Sequence, residues 1–276
     1  MTEIRKKQKQ FKRIMRSFVI VTALFLFVYI GIAPFISASP GIYTAINYIC
    51  DALVIISLIL VLYYYSKYSK AEQFLDDVEH EINDYGYYLT AREEREINSY
   101  FNAVSDDLKK NGFSYETNLE LSELLFDARA LKTKEFFYLV CIDELDKNDV
   151  VAYLDSAIYD VTVGNLRRKG NCVVAFFSSS VDENALSLSK AVTAMGRKNQ
   201  LKFTASIVDV SQGRVYFAGR YPTKCQQMTA NFIMKCDVPI KDEFISKERL
   251  PFQYEIEEKM KDFNLKDFKD GTFSVH

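Results

Sequence analysis

The chain has 276 residues and a net charge of −2, but the charge is unevenly spread. Residues 67–276 hold 28 of the 35 Lys and Arg and 35 of the 37 Asp and Glu, a net of −7, while seven basic residues crowd the first sixteen positions. A domain that acidic repels phosphate backbones, which excludes nucleic acid as its main partner. The two histidines, His80 and His276, all but exclude a histidine-based zinc site or a Ser-His-Asp triad, and five cysteines without a C-x-x-C pair read as buried thiols of a reducing compartment.

Residues 1–16 form a basic N-terminus, with Arg5, Lys6, Lys7, Lys9, Lys12, Arg13 and Arg16 against Glu3. The apolar run Phe18–Ile36 follows and ends in the small triplet Ser37-Ala38-Ser39, the mark of a cleaved signal peptide. Two features favour a retained anchor. The run exceeds the ~7–15 residues of a signal core, and Pro40 would obstruct cleavage after Ser39. At ~1.5 Å per residue the run reaches roughly 28 Å, about the thickness of a bilayer core.

A second apolar segment follows, so residues 17–66 are expected to form a transmembrane hairpin with helices at about 17–37 and 45–66. Tyr43 and Tyr48 fall near one interface, and Tyr63, Tyr64, Tyr65 and Tyr68 near the other. The turn between the spans has no Lys or Arg, whereas both outer flanks do. The positive-inside rule then places both termini in the cytoplasm of a multi-pass cell-membrane protein, with the lipid bilayer as its first partner. Asp51 is the one charged residue between Ser17 and Ser66. It reads either as a carboxylate paired within an oligomer or a pathway, or, more simply, as an acid that snorkels or is protonated about two turns from the outer surface.

Residues 67–111 are expected to form a helical stalk. Ala71, Leu75, Val78, Ile82, Tyr85 and Leu89 recur in alternating steps of four and three, a short heptad seam. Thr90, with Glu93 as capping-box partner, restarts a helix whose seam is Ile97, Phe101, Val104 and Leu108, ending at Asn111-Gly112. The seams serve either a homodimer, joined through the stalk or the membrane helices, or packing on the chain's own domain.

Residues 112–276 read as one α/β domain. A helix is predicted over Asn118–Leu131, from apolar positions 121, 124, 125, 128 and 131. The continuous apolar runs "EFFYLVCID", "NCVVAFFSSS" and "LKFTASIVDV" predict buried parallel strands, and "RVYFAGRY" an antiparallel edge. Helices are predicted in "NDVVAYLDSAIYDVTVGNL", in "VDENALSLSKAVTAMGRKN" with Ser180 as cap and Glu183 as box partner, and over Thr223–Lys235. The expected architecture is a mostly parallel central sheet of about four strands with an antiparallel edge.

Ligands of such sheets gather beyond the carboxyl ends of the parallel strands. Those ends carry Asp143, then Ser178, Ser179 and Ser180, then Asp209. Asp143 and Asp209 are the candidate metal ligands, for Mg²⁺, and serines that open a helix are candidate anion binders. The same residues equally serve as ordinary strand exits and helix caps. The chain has no G-x-x-x-x-G-K-[ST], no G-x-G-x-x-G after a strand and no G-x-S-x-G.

"FFYLVCIDELDK" at 136–147 resembles the first strand of the diguanylate cyclase (GGDEF) domain. "RRKGNCVVAFF" at 167–177 sits where that family carries its signature hairpin, and "LSLSKAVTAMGRKNQLKFTASIVDV" is similar to its later helix and strand. The likeness spans 120–219. Lys169-Gly170-Asn171-Cys172 replaces the glycines and acids of the signature, Cys172 falls on a metal carboxylate of the family, and only Asp143 matches a metal position. The resemblance implies a degenerate domain kept for binding or dimerisation. The expected function is therefore a membrane-anchored, non-catalytic module that senses, scaffolds or relays a signal. The alternative is a metal-dependent enzyme of nucleotide or phosphate chemistry, using Asp143 and Asp209.

Overall fold

The computed structural model describes residues 2–36, 39–196, 199–219, 223–246 and 248–269. Ser37, Ala38 and His276, and the side chain of His80, lie outside them. The chain forms two compact units, one holding the residues up to Val78 and from Ile256 onward, the other Glu79–Glu255.

The first unit contains α1 (Thr2–Ile36) and α2 (Pro40–Asn83), which continues into the second unit. Pro40 opens α2, where a missing N–H costs nothing. Both helices are long and apolar enough to cross a membrane. Their apolar side chains face outward, with Phe27 77% exposed, unlike those of a core helix in a soluble domain. Polar pairs join the two helices antiparallel along their length: Tyr29 to Asn47, the Ser57 hydroxyl to Thr22 Oγ1 at 3.0 Å, Gln8 Nε2 to the Tyr64 hydroxyl at 3.3 Å, Lys12 to Glu72 and Arg5 to Asp76. Among the seam residues Ala71, Leu75 and Val78 are already buried within one chain. Beside them Phe74 stacks on Phe263 and Phe268, with ring centroids 5.9 and 4.7 Å apart. Phe268 lies on the short C-terminal helix Leu265–Lys269.

The second unit is built on a mixed sheet. Its strands are β1 (Tyr88–Leu89), β2 (Ser114–Leu121), β3 (Leu124–Lys132), β4 (Glu135–Cys141), β6 (Gly170–Ser178), β8 (Val192–Met195), β9 (Leu201–Asp209) and β10 (Arg214–Tyr216). A separate short pair is formed by β5 (Glu144–Leu145) and β7 (Ser180–Val181). The order across the main sheet is β1-β10-β9-β6-β4-β3-β2, with β8 also pairing β9. The three predicted buried strands β4, β6 and β9 are parallel neighbours at its centre. Every other pairing in the main sheet is antiparallel, which corrects the expectation of a mostly parallel sheet of about four strands.

Two segments expected to be helical supply β2, β3 and β8, while β1 comes from the expected stalk. Residues 118–131 form the β2–β3 hairpin and not a helix. Phe126, Ala128 and Ala130 are buried alternately along β3, and Ser122 and Glu123 both take positive φ, 50° and 68°, at the turn. That is the two-residue hairpin geometry usually supplied by Asn-Gly. The second segment, "VDENALSLSKAVTAMGRKN", is α-helical over Glu183–Ser189 (α5). Its β-branched Val192 and Thr193 then extend into β8 against β9.

Alternation along the central strands fills both faces of the sheet. Val173, Ala175 and Phe177 of β6 face one core with Phe137 and Leu139, while Cys172, Val174 and Phe176 face the other with Phe136, Tyr138 and Val140. The first core is covered by α3 (Ile97–Lys110) and by α6 (Lys224–Met228) with the π turn Thr229–Met234. The second is covered by α4 (Lys147–Tyr159) and α5. The expected stalk over 67–111 therefore does not form as one element. Its first part belongs to α2, Thr90 is no helix cap, and the Ile97–Leu108 seam packs on the chain's own sheet. Thr90 instead donates its N–H to Gly213 and pairs its hydroxyl with Tyr100.

Candidate functional site

Parallel pairing brings the carboxyl ends of β4, β6 and β9 side by side, with Cys141 opposite Phe177 and Ser178 opposite Asp209. The polar groups there mostly satisfy one another. The Asp143 carbonyl accepts from the Ser178 hydroxyl, the Ser179 hydroxyl and the Ser180 N–H, at 3.0, 3.0 and 3.1 Å. This zips the two loops into the β5–β7 pair. The cap of α5 is Asp182, which accepts the Asn184 N–H, and not Ser180. A seven-residue helix capped in this way leaves the serines no helix terminus on which to hold an anion.

Asp209 is buried and structural. Its Oδ1 accepts the Ser211 hydroxyl at 2.7 Å and the Gln212 N–H at 3.0 Å, folding the chain back into β10. Asp143 is exposed. Among the described residues no three His, Cys, Asp or Glu side chains gather into a metal-holding group. One exposed carboxylate and one held in a turn fall short of the oxygen set that Mg²⁺ requires. Burial pushes the Cys172 thiol well above its ordinary value, with Cys225 and Asp160 adding to the effect. Burial and Asp127 push Cys141 up to about 12. Neither is a thiolate nucleophile. Asp51 is exposed on α2, beside the buried Cys50.

Other buried charges of this unit lie away from the strand ends, and two clusters of them escaped the sequence reading. The first sits just past the end of α2. Asp84 accepts the Tyr85 N–H at 2.9 Å and the Tyr88 hydroxyl at 3.2 Å on Oδ1, and the Gly219 N–H at 3.0 Å on Oδ2. Lys190, at the end of α5, ion-pairs with Asp84 at 3.5 Å and donates to the carbonyls of Tyr85 and Phe217 at 2.6 and 2.9 Å. The two side chains are 0% and 5% exposed. Burial holds the Lys190 ammonium below its ordinary value despite the opposing field of Asp84. Gln253 closes the cluster by donating to the carbonyls of Glu81 and Asp84. Gly219 is required there, because a Cβ would lie 1.8 Å from the Tyr88 hydroxyl.

In the second cluster Asp160 opens a π turn (Asp160–Gly164) after α4. Its carboxylate accepts from Arg129 at 2.6 Å and from the Tyr138 hydroxyl, while Arg129 also pairs with Glu116 at 2.6 Å. Arg129 and Tyr138 are cross-strand partners, so the cluster pins the π turn to the sheet. The turn ends in a Schellman-type bond from the Arg167 N–H to the Val161 carbonyl, with Leu166 at φ 51° where glycine is usual.

In both clusters each charge meets an opposite charge inside the domain, although the buried Arg129 Nε finds no acceptor among the described residues and Glu116 reaches the surface, and the geometry holds backbone in place. No protein-family model matches the chain, and neither a curated protein nor a solved structure matches it.

Proposed function

We propose that the protein is a membrane-anchored relay or scaffold, with both termini in the cytoplasm and a non-catalytic α/β domain on that side. The observation that carries this reading is the Asp84–Lys190 cluster. It fastens the residues that leave α2 to α5 and to the segment after β10, so that a displacement of the helix end is passed to the sheet. A flexible tether would need no buried charge there. The basic flanks of both spans support the orientation. The resemblance of 120–219 to the diguanylate cyclase domain fits the same reading, as a degenerate copy in which Asn171 and Cys172 stand where acids would hold metal. Any pairing of copies falls to the outer faces of the membrane helices, because the seam at Ala71, Leu75 and Val78 is covered within one chain.

The test is incubation of the purified full chain in micelles with GTP or ATP and Mg²⁺ or Mn²⁺, read by chromatography. No turnover is expected. Turnover abolished by Asp143→Ala would overturn the reading in favour of a metal-dependent enzyme.

A further inference from the structure

On α1, at the level where the basic flank meets the apolar run, Lys9, Lys12, Arg13, Arg16, Ser17 and Ile20 line a concavity of about 330 Å³. Spacings of three and four place these residues along one side of the helix. From Lys9 to Ile20 the lining spans roughly 16 Å and passes from ammonium and guanidinium groups, through a hydroxyl, to an exposed isoleucine. Acids on α2 answer only part of this charge. Glu72 pairs with Lys12 and Asp76 with Arg5. Among the described residues no carboxylate pairs with Arg13 or Arg16. Burial alone would raise the Glu72 carboxyl, but hydrogen bonds from Lys12 and Tyr64 and the charge of Arg5 outweigh it and hold it below its ordinary value.

We infer that this concavity is a binding site for an anionic phospholipid, with the phosphate between Arg13 and Arg16 and the first acyl methylenes on Ile20. The inference rests on the membrane reading above. Guanidinium forks match phosphate oxygens in pairs, and two of them one turn apart bracket a single headgroup. A free phosphate makes no use of Ile20, whereas a lipid at the inner leaflet uses both ends of the lining. Lys12 gives the site a consequence. It bonds Glu72 across the hairpin, so a lipid phosphate that draws Lys12 away weakens the link between α1 and α2 at their inner ends. Lipid composition would then act on the helix that leads into the α/β domain.

The experiment uses the full chain in nanodiscs of phosphatidylcholine with a minority of phosphatidylglycerol. The protein is released into mild detergent, and its co-released lipid is weighed by native mass spectrometry. The parent should carry phosphatidylglycerol enriched several-fold over the bulk, since each basic residue at the surface is worth about a factor of five. Arg13→Gln/Arg16→Gln should abolish the enrichment, and the charge-matched Lys6→Gln/Lys7→Gln should keep it. Equal enrichment in the arginine variant, or equal loss in the lysine variant, would overturn the site in favour of diffuse attraction. Displacement of the lipid by millimolar inorganic phosphate would overturn the assignment to a lipid. Failure of the parent to enter nanodiscs would overturn the membrane reading itself. Entry without enrichment would overturn only the lipid site.

Discussion

Lys190→Met removes the ammonium while keeping most of the side-chain volume. The lost partners are the Asp84 carboxylate at 3.5 Å and the carbonyls of Tyr85 and Phe217 at 2.6 and 2.9 Å. Breaking a buried pair from one side costs about 3–5 kcal/mol, because the remaining charge is left uncompensated. Three hydrogen bonds still reach Asp84, from Tyr85, Tyr88 and Gly219, so the lower end of that range applies. Neutralising the survivor should then recover part of the loss. Asp84→Asn/Lys190→Met is expected to be more stable than Lys190→Met alone by about 1–2 kcal/mol, a coupling typical of groups in one network. Pulse proteolysis of the full chain in micelles reads the domain without interference from the membrane helices. A Lys190→Met variant within about 0.5 kcal/mol of the parent, the range of surface substitutions, would refute the buried pair and the coupling argument with it.

Val174 is fully buried in the middle strand β6, so Val174→Asp should cost several kcal/mol; unchanged protease resistance would show that the strand is misplaced. Leu166 is exposed at φ 51°, a conformation that costs an L-residue about 1–2 kcal/mol and that asparagine tolerates, so Leu166→Asn should raise the melting temperature by a few degrees; a lower one would contradict the assigned turn. Burial raises the phenol pKa of both Tyr100 and Tyr138 above the ordinary 10.0. Folded values above the unfolded ones mean that their contribution is complete below pH 10 and is lost as pH rises through the folded values. The chain has 18 tyrosines and no tryptophan, so absorbance at the phenolate band should show these two ionising only together with unfolding; their reversible titration near pH 10 in the folded protein would contradict their burial. Cysteine-accessibility labelling at Thr2 in intact cells should show protection, and labelling from outside would reverse the topology.

The parts legible in the sequence were those decided by local composition. Unbroken apolar runs gave β4, β6 and β9, since a strand buried on both faces has no polar positions to alternate with. The helices expected in "NDVVAYLDSAIYDVTVGNL" and over Thr223–Lys235 form as α4 and α6, each opened by a capping box, Asp146 with Asp149 and Thr223 with Gln226, that the sequence reading did not name. The β2–β3 hairpin was hidden because Leu121, Leu124, Leu125, Ala128 and Leu131 happen to follow helical spacing, and because Ser122-Glu123 is a poor advertisement for a turn of positive φ. The alanines at 128 and 130, good helix formers, are fully buried in the strand, in the core that α3 covers. At the strand ends the sequence named the right neighbours, Asp143, Ser178 and Asp209, but not that backbone groups would engage them. Asp84 and Lys190 were beyond reach, since their partnership spans 106 residues and exists only once β10 and α5 are in place.

The proposed fastening of the end of α2 to the sheet through Asp84 and Lys190 is tested most directly by hydrogen exchange of the full chain in nanodiscs. The account predicts that amides of residues 79–89 and of β10 exchange with one protection free energy, shared with β9, and that Lys190→Met lowers protection of 79–89 first. Free exchange of 79–89 in the parent while β9 stays protected would show a loose tether and contradict the relay.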